Sequence, residues 1–304
     1  MTPSTHTALE LDSRFGIPSR AQIVAHESGS SKIRVTTAKC TGEMHLYGAQ
    51  VTSWKPAGAQ EVIFLSSKAV FTEGKAIRGG IPICFPWFRA KADDAHAPAH
   101  GFVRTRIWTL ESIDQNAGAI IVTMSTQSDA DTKRWWPHDF RAVLRATFGS
   151  DLKLEFTVAN TGAAPFRFEE ALHTYHTVGD IHKARVRGLD GVTYLDNTNS
   201  NRENKQSGEV AIGAPTDSAY MNTQKAFDLI DPALNRRIHI AKQNSNTTVI
   251  WNPWIEAARA MSDFGDDEWQ QMLCAEAANI MANAVDLAPA KSHTLTATIS
   301  VAPL

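Results

Sequence analysis

Leu152, Leu154, Phe156 and Val158 alternate with polar residues, and Leu295, Ala297, Ile299 and Val301 repeat the pattern near the C-terminus. A period of two puts every second side chain on one face of an extended chain, so these stretches are strands with one buried face. Ile33–Val35, Ala119–Met124, Val143–Phe148 and Thr247–Trp251 read as further strands, some buried on both faces. Turn residues punctuate them at Asn116-Ala-Gly118, Asn160-Thr-Gly162, Asp190-Gly191 and Asp231-Pro232. Leu229 to Ile240 reads as a hairpin around Asp231-Pro-Ala-Leu-Asn235. Helical periodicity is confined to short windows near Asp131–Trp136 and Asp266–Met272. Many short strands with regular turns predict an all-β sandwich or barrel with a few short helices. No βα alternation is visible, which argues against a doubly wound nucleotide-binding fold.

The chain has 304 residues, 43% of them apolar, enough to close a large core. We expect one domain over residues 19–304, preceded by a mobile segment over residues 1–18. The polar stretch Asn197–Gly213 reads as a long surface loop. A formal net charge of −2 gives no pull toward nucleic acid or an anionic membrane. No apolar run approaches the ~18 residues of a membrane span. Three cysteines, Cys40, Cys84 and Cys274, form neither a disulfide framework nor a zinc spacing. The polar opening Met1–Asp12 lacks the apolar core of a signal peptide. A soluble, cytoplasmic protein follows as the expectation, with a monomer as the default.

Three stretches carry chemistry. In Arg78-Gly-Gly-Ile-Pro-Ile-Cys-Phe-Pro-Trp87 two adjacent glycines allow close backbone approach and two prolines stiffen the run. Arg78 and, past His100-Gly-Phe, Arg104 flank it; a guanidinium matches phosphate or carboxylate, and both are equally readable as surface arginines beside a turn. In His173-Thr-Tyr175-His176, strand parity places His173 and Tyr175 on one face and His176 on the other. That parity argues against one metal held by both histidines. In Met272-Leu-Cys-Ala-Glu276, the carboxylate ends an apolar run. It is either paired, exposed at a strand end, or raised in pKa as an acid or base. Trp251-Asn-Pro-Trp254 offers aromatic faces for a sugar or for the core. The acidic run Asp266-Asp-Glu268 lacks the alternation of a calcium loop and reads as a solvated turn. No nucleophile elbow or phosphate loop is present, so the chemistry on offer is acid–base, with arginines for an anion.

Together these stretches resemble the D-hexose-6-phosphate mutarotases (glucose-6-phosphate 1-epimerases) of the aldose 1-epimerase, or galactose mutarotase-like, superfamily. The resemblance rests on Arg78-Gly-Gly-Ile-Pro, Phe85-Pro86, His100-Gly-Phe102, Arg104, Ala171-Leu-His173-Thr-Tyr175, Gly188-Leu-x-Gly-x-x-Tyr194-x-Asp196, Thr216-Asp217, Trp251-Asn-Pro-Trp254 and Cys274-x-Glu276. It implies a large antiparallel β-sandwich and a cofactor-free isomerase that interconverts the anomers of a hexose 6-phosphate. By resemblance His173 protonates the ring oxygen O5 and Glu276 takes the proton from the C1 hydroxyl. Arg78 and Arg104 bind phosphate, Asp217 binds sugar hydroxyls, and His100 lies near the sugar. A free-hexose aldose 1-epimerase and a non-catalytic sugar-phosphate-binding protein are the alternatives. The chain departs from relatives at Ala99, Ala277, His176 and Trp87, which bears on sugar preference rather than reaction type.

Overall fold

The computed structural model describes residues 6–27 and 29–304. The alternating stretches assemble into a nine-stranded antiparallel sheet. Its central strand is Ser292–Pro303, flanked by Leu152–Asn160 on one side and Arg236–Gln243 on the other. Leu152, Leu154, Phe156 and Val158 are all fully buried, and the residues between them are only partly so. Each such aromatic or aliphatic side chain contributes about 1.5–3 kcal/mol by leaving water. The hairpin read from Leu229 to Ile240 is present as Phe227–Asp231 paired with Arg236–Gln243. Its turn is a 3₁₀ helix over Pro232–Leu234, closed by Asn235 at φ +48°. Asp231, fully buried, pairs with Arg236 beside that turn.

An eight-stranded sheet carries the motif residues. Its path runs Arg202–Lys205, Thr193–Asp196, Thr216–Tyr220, Thr247–Asn252, Met272–Asn279, Glu170–Leu172 and Ile83–Cys84, and Tyr175–Thr177 also pairs with Met272–Asn279. Phe85, at the edge of this sheet, packs its ring at 5.2 Å from Phe140 and 5.8 Å from Phe156 of the nine-stranded sheet. The two sheets therefore share one core, which gathers side chains from Leu11 to Ile299. Along Met272–Asn279, Leu273, Ala275 and Ala277 belong to that core, whereas Ala278 joins a smaller apolar cluster on the opposite face with Val249, Ala219 and Phe88. A separate four-stranded sheet, Ala21–Ala25 to Gln50–Pro56, supports the run that ends at Arg78.

Local structure differs from expectation in three places. The stretch for which mobility was expected contains the helix Ala8–Phe15, with Thr7 and Glu10 forming a capping box. Leu11 is buried and the Asp12 carboxylate accepts from the Ile23 N–H at 2.7 Å. One buried side chain in two turns leaves too weak a periodicity to read. Residues 1–5 of that stretch lie outside the described residues. Within the supposed loop Asn197–Gly213, Arg202–Lys205 and Val210–Ala211 are strands. Each is the outermost strand of its sheet; Arg202–Lys205 is wetted on both faces and Val210–Ala211 is only two residues long, so neither has an apolar alternation to show. The helix Trp254–Ala260 follows Pro253 directly and was not anticipated. The helical window near Asp131–Trp136 is the helix Ala130–Trp135, and that near Asp266–Met272 is a 3₁₀ turn over Glu268–Gln271.

Candidate functional site

Strand register builds the site. Leu172 pairs with Ala277 and Tyr175 with Cys274, so His173, between them, stands opposite Glu276. Glu276 pairs in turn with Val249, and Val249 with Ala219. One row along, Tyr175 pairs with Cys274, Cys274 with Trp251, and Trp251 with Asp217. Alternation places both rows on the face opposite Leu273, Ala275 and Ala277. His173 and Tyr175 share that face, their rings stacked at 5.0 Å, while His176 turns away and makes a 3.3 Å contact with the Ala275 carbonyl.

Two loops complete a cavity of about 270 Å³ over these rows. Arg78, Arg104, His100, His173, Asp217 and Glu276 all line it, although they span 199 positions of sequence, from 78 to 276 counted inclusively. The glycines after Arg78 serve the scaffold. Gly80 has φ +68°, and a Cβ there would lie 2.5 Å from the Val51 carbonyl oxygen. Gly101, φ +73°, is tighter still: a Cβ would lie 1.8 Å from the Phe85 carbonyl oxygen. That closeness presses His100 against Cys84, with Nδ1 3.5 Å from the sulfur. A larger cavity of about 490 Å³, between the N-terminal helix and Trp108–Glu111, holds none of the expected residues.

The charges are unequally compensated. Arg78 forms an ion pair with Asp263 at 3.2 Å and donates to the Tyr175 hydroxyl at 3.3 Å. Arg104 donates only to the Ala99 carbonyl, at 2.8 Å, and its Nε has no partner among the described residues. Glu276 is fully buried and neither carboxylate oxygen has a hydrogen-bond partner among the described residues. His173 Nδ1 lies 3.5 Å from Glu276 Oε1, too far and too poorly aimed to count as a bond, and is itself unpartnered. Burial raises the Glu276 pKa well above the usual carboxyl range, with Asp217 adding to it and Arg89 and Arg104 opposing. Burial, reinforced by Arg104, lowers His173 to about 3. His100 is lowered by burial and again by Arg104.

Arg89 and Asn197 were missed by the sequence reading. Arg89 Nη2 meets Asp217 Oδ1 at 2.5 Å, and Asn197 Nδ2 donates to Asp217 Oδ2 at 2.6 Å. An arginine next to Phe88 carries no spacing signal that would have singled it out. Of the aromatic run, Trp251 lines the cavity, whereas Trp254 is not among its lining residues and packs, tilted, against Trp269 with ring centroids 4.4 Å apart. The acidic run is a brace: Asp266 pairs with Lys68 and Glu268 accepts from the Ser67 and Gly265 N–H groups. Of the four departures from relatives only Ala99 lines the cavity. Ala277 is in the core, His176 is buried on the far side, and Trp87 donates to the Pro98 carbonyl.

His173, Cys274 and Glu276 present donor atoms within 4.8 Å of one another, a spacing a divalent ion could use. Arg78, Arg89 and Arg104 line the same cavity, and their field opposes a cation. The arrangement suits an anionic, hydroxyl-rich ligand over a buried pair that can exchange protons with it.

Residues 31–300 match the family model for aldose 1-epimerase. The chain belongs to the aldose 1-epimerase family. Within it, the chain is 36% identical over 272 residues to a protein of Cenchrus ciliaris named "Putative glucose-6-phosphate 1-epimerase", covering 86% of this chain and 82% of that one. A protein of the same name from Escherichia coli K12 is 38% identical over 234 residues, covering 77% and 78%. A crystal structure of a putative mutarotase from Salmonella typhimurium superposes with a TM-score of 0.89 at 30% identity, over 95% of this chain and 96% of that one. The sandwich is thus the aldose 1-epimerase fold, and a galactose mutarotase related structure from Lactobacillus acidophilus, at 12% identity and a TM-score of 0.72, shares it.

Proposed function

We propose that this aldose 1-epimerase family member interconverts the α and β anomers of hexose 6-phosphates, with glucose 6-phosphate the first candidate. One observation carries the mechanism: a buried carboxyl and a buried imidazole face each other, unpartnered among the described residues, beneath a cavity lined by arginines. O1 and O5 of a pyranose are both bonded to C1, so the groups that exchange protons with them must lie a few ångströms apart, as these do. Glu276 takes the O1 proton as His173 gives one to O5. The C1–O5 bond breaks, C1=O1 forms, and rotation about C1–C2 turns the aldehyde over. The reverse transfers close the ring as the other anomer.

The pair needs one proton between its two members. Carboxylate with imidazolium, and carboxylic acid with neutral imidazole, have the same net charge. Ring opening converts the first into the second. Burial, which raises Glu276 and lowers His173, favours the second and so stabilises the pair in its ring-opened form. Bound substrate supplies what the first needs. Its hydroxyls give the carboxylate donors, and its phosphate, about −1.5 to −2 charges, offsets the Arg104 cation that disfavours imidazolium. Trp251 gives the sugar an aromatic face, and Asp217 accepts from its hydroxyls.

Every group in this scheme comes from one chain, so the reading needs no second copy. Three unpaired cysteines support a reducing, cytoplasmic setting. No helix among the described residues is long and apolar enough to cross a membrane. Two-dimensional exchange NMR on equilibrated glucose 6-phosphate tests the reading. Enzyme-dependent α/β cross-peaks that disappear in Glu276→Gln are expected. Unchanged exchange with glucose, galactose and mannose 6-phosphates alike would overturn it.

A further inference from the structure

Arg89 has no part in the scheme above, yet it is held in an unusual way. Its backbone is left-handed, φ +61°, a conformation that costs a residue with a Cβ and persists where surroundings impose it. Its N–H points to His100 Nδ1 at 3.3 Å. Its guanidinium lies 5.6 Å above the Phe88 ring and pairs with Asp217, 128 residues away, with both side chains about four-fifths buried. Asn197 takes the other carboxylate oxygen. Asp217 is thereby fixed from two sides, and one of those sides is a cation.

The charges around Glu276 explain why that cation matters. His173 and Tyr175 face it from the neighbouring strand, and Cys274 shares its own. Asp217 lies two strands away and one row along, in the row of Cys274 and Trp251. Cys84 and His100 flank it, with Arg78, Arg89 and Arg104 supplying the positive charge. Among these, Asp217 is the charged neighbour that most opposes ionisation of Glu276, and Arg89 the one that most favours it. The two are bonded to each other. An Asp217 without its arginine would lie near the base as an uncompensated negative charge, free to swing.

We propose that Arg89 is a positioning residue of the anomerase: through its ion pair it orients Asp217 toward the sugar hydroxyls and cancels the Asp217 charge felt by Glu276, keeping the carboxylate available as a base. This rests on the function proposed above for the same cavity. It predicts a dependence on charge as well as on shape. Arg89→Lys keeps the charge and loses the planar fork, so its proton chemistry is preserved while sugar affinity weakens.

The test is a charge cycle in the full-length protein: Arg89→Ala, Asp217→Asn, the double variant and Arg89→Lys. In the free enzyme the one proton of the pair sits on Glu276, so the alkaline limb of kcat/KM for glucose 6-phosphate reports the ionisation of that carboxyl. Removing the arginine is expected to move that limb upward by about one pH unit, the scale of an uncompensated neighbouring charge. Asp217→Asn should move it downward, the double variant should return toward wild type, and Arg89→Lys should leave it in place. A thermal melt run beside each variant separates this from loss of structure. A folded Arg89→Ala whose limb has not moved would overturn the proposal. Should Arg89→Ala fail to fold, an unmoved limb in Asp217→Asn overturns it equally. The Glu276 carboxyl can also be titrated by ¹³C NMR in the unliganded protein. That reading needs no turnover, so absence of anomerase activity would count against the proposed function and leave the Arg89 effect separately measurable.

Discussion

His173 Nδ1 and Glu276 Oε1 lie 3.5 Å apart on antiparallel neighbours, and neither atom has a hydrogen-bond partner among the described residues. A buried polar atom left unpaired costs about 1–3 kcal/mol, more when charged. Two such groups side by side are therefore a standing cost to the fold. The proposed function accounts for the cost: on that reading, a partner supplied by the protein would occupy the place of a sugar oxygen.

Replacing Glu276 by Gln removes the base and, with it, the cost of ionising a buried carboxyl, while a polar group stays in place. The Glu276 pKa is raised, so the folded state resists ionisation while the unfolded chain ionises above about 4.5. The group's contribution to stability is present at low pH and is lost as pH rises. We expect Glu276→Gln to slow anomerisation at least ~10²-fold. The variant should also melt several degrees higher than wild type at pH 8, with the two melting points converging near pH 4. Calorimetry at the two pH values checks this; equal melting points at pH 8 would contradict the burial argument.

The two candidate phosphate arginines should not be equivalent. Arg78 already has Asp263, whereas Arg104, among the described residues, has only the Ala99 carbonyl. A charge-assisted hydrogen bond is worth ~1.5–3 kcal/mol, or roughly 10–150-fold. Arg104→Ala is expected to raise KM for glucose 6-phosphate by that factor, and Arg78→Ala by less. KM for free glucose should change little in either. Equal losses on both sugars would remove the phosphate role.

Acid stability should track the buried histidines. Burial lowers His45 to about 3, His173 to about 3 and His176 to about 4. A histidine lowered in the fold is neutral there while the unfolded chain takes up a proton below about 6.5, so stability falls as pH drops from 6.5 toward 3–4. For His176 the loss amounts to about 3 kcal/mol once pH is below 4. His176→Gln, which keeps an amide donor for the Ala275 carbonyl, should flatten the melting curve over that window. A slope identical to wild type between pH 6.5 and 4 would rule His176 out as a contributor.

Gly101→Ala should be severe. Its φ of +73° strains any side chain, and the added carbon would overlap the Phe85 carbonyl oxygen at 1.8 Å. The segment must move, and His100 with it. A loss of about 2 kcal/mol or more is expected in a denaturant titration, with a weakened KM in the protein that remains folded.

The three thiols are buried, and burial raises the pKa of each. Ellman's reagent should find none of them in the native protein and all three in guanidinium. Fast labelling of one native thiol would show that the fold opens around it.

The reach of sequence reading here follows from periodicity. Leu152 to Val158 announced a half-buried strand because alternation is a local consequence of backbone geometry. The same rule separated His173 and Tyr175 from His176. The wetted edge strand Arg202–Lys205 and the helix Ala8–Phe15 bury too little to leave such a trace. Resemblance named Arg78, His100, Arg104, His173, Asp217 and Glu276 as site residues, and the fold brings all six to one cavity. Sequence alone determined the sheet-forming pattern, the family motifs and the residue types available for acid–base chemistry. Tertiary structure decided what those residues are to one another. Cross-strand register put His173 opposite Glu276, the fold gave Arg78 a carboxylate in Asp263 and Arg104 none among the described residues, and a contact across 128 residues joined Arg89 to Asp217. Proton affinities and ion pairs depend on distance and solvent exclusion, and neither exists until strands far apart in sequence lie side by side.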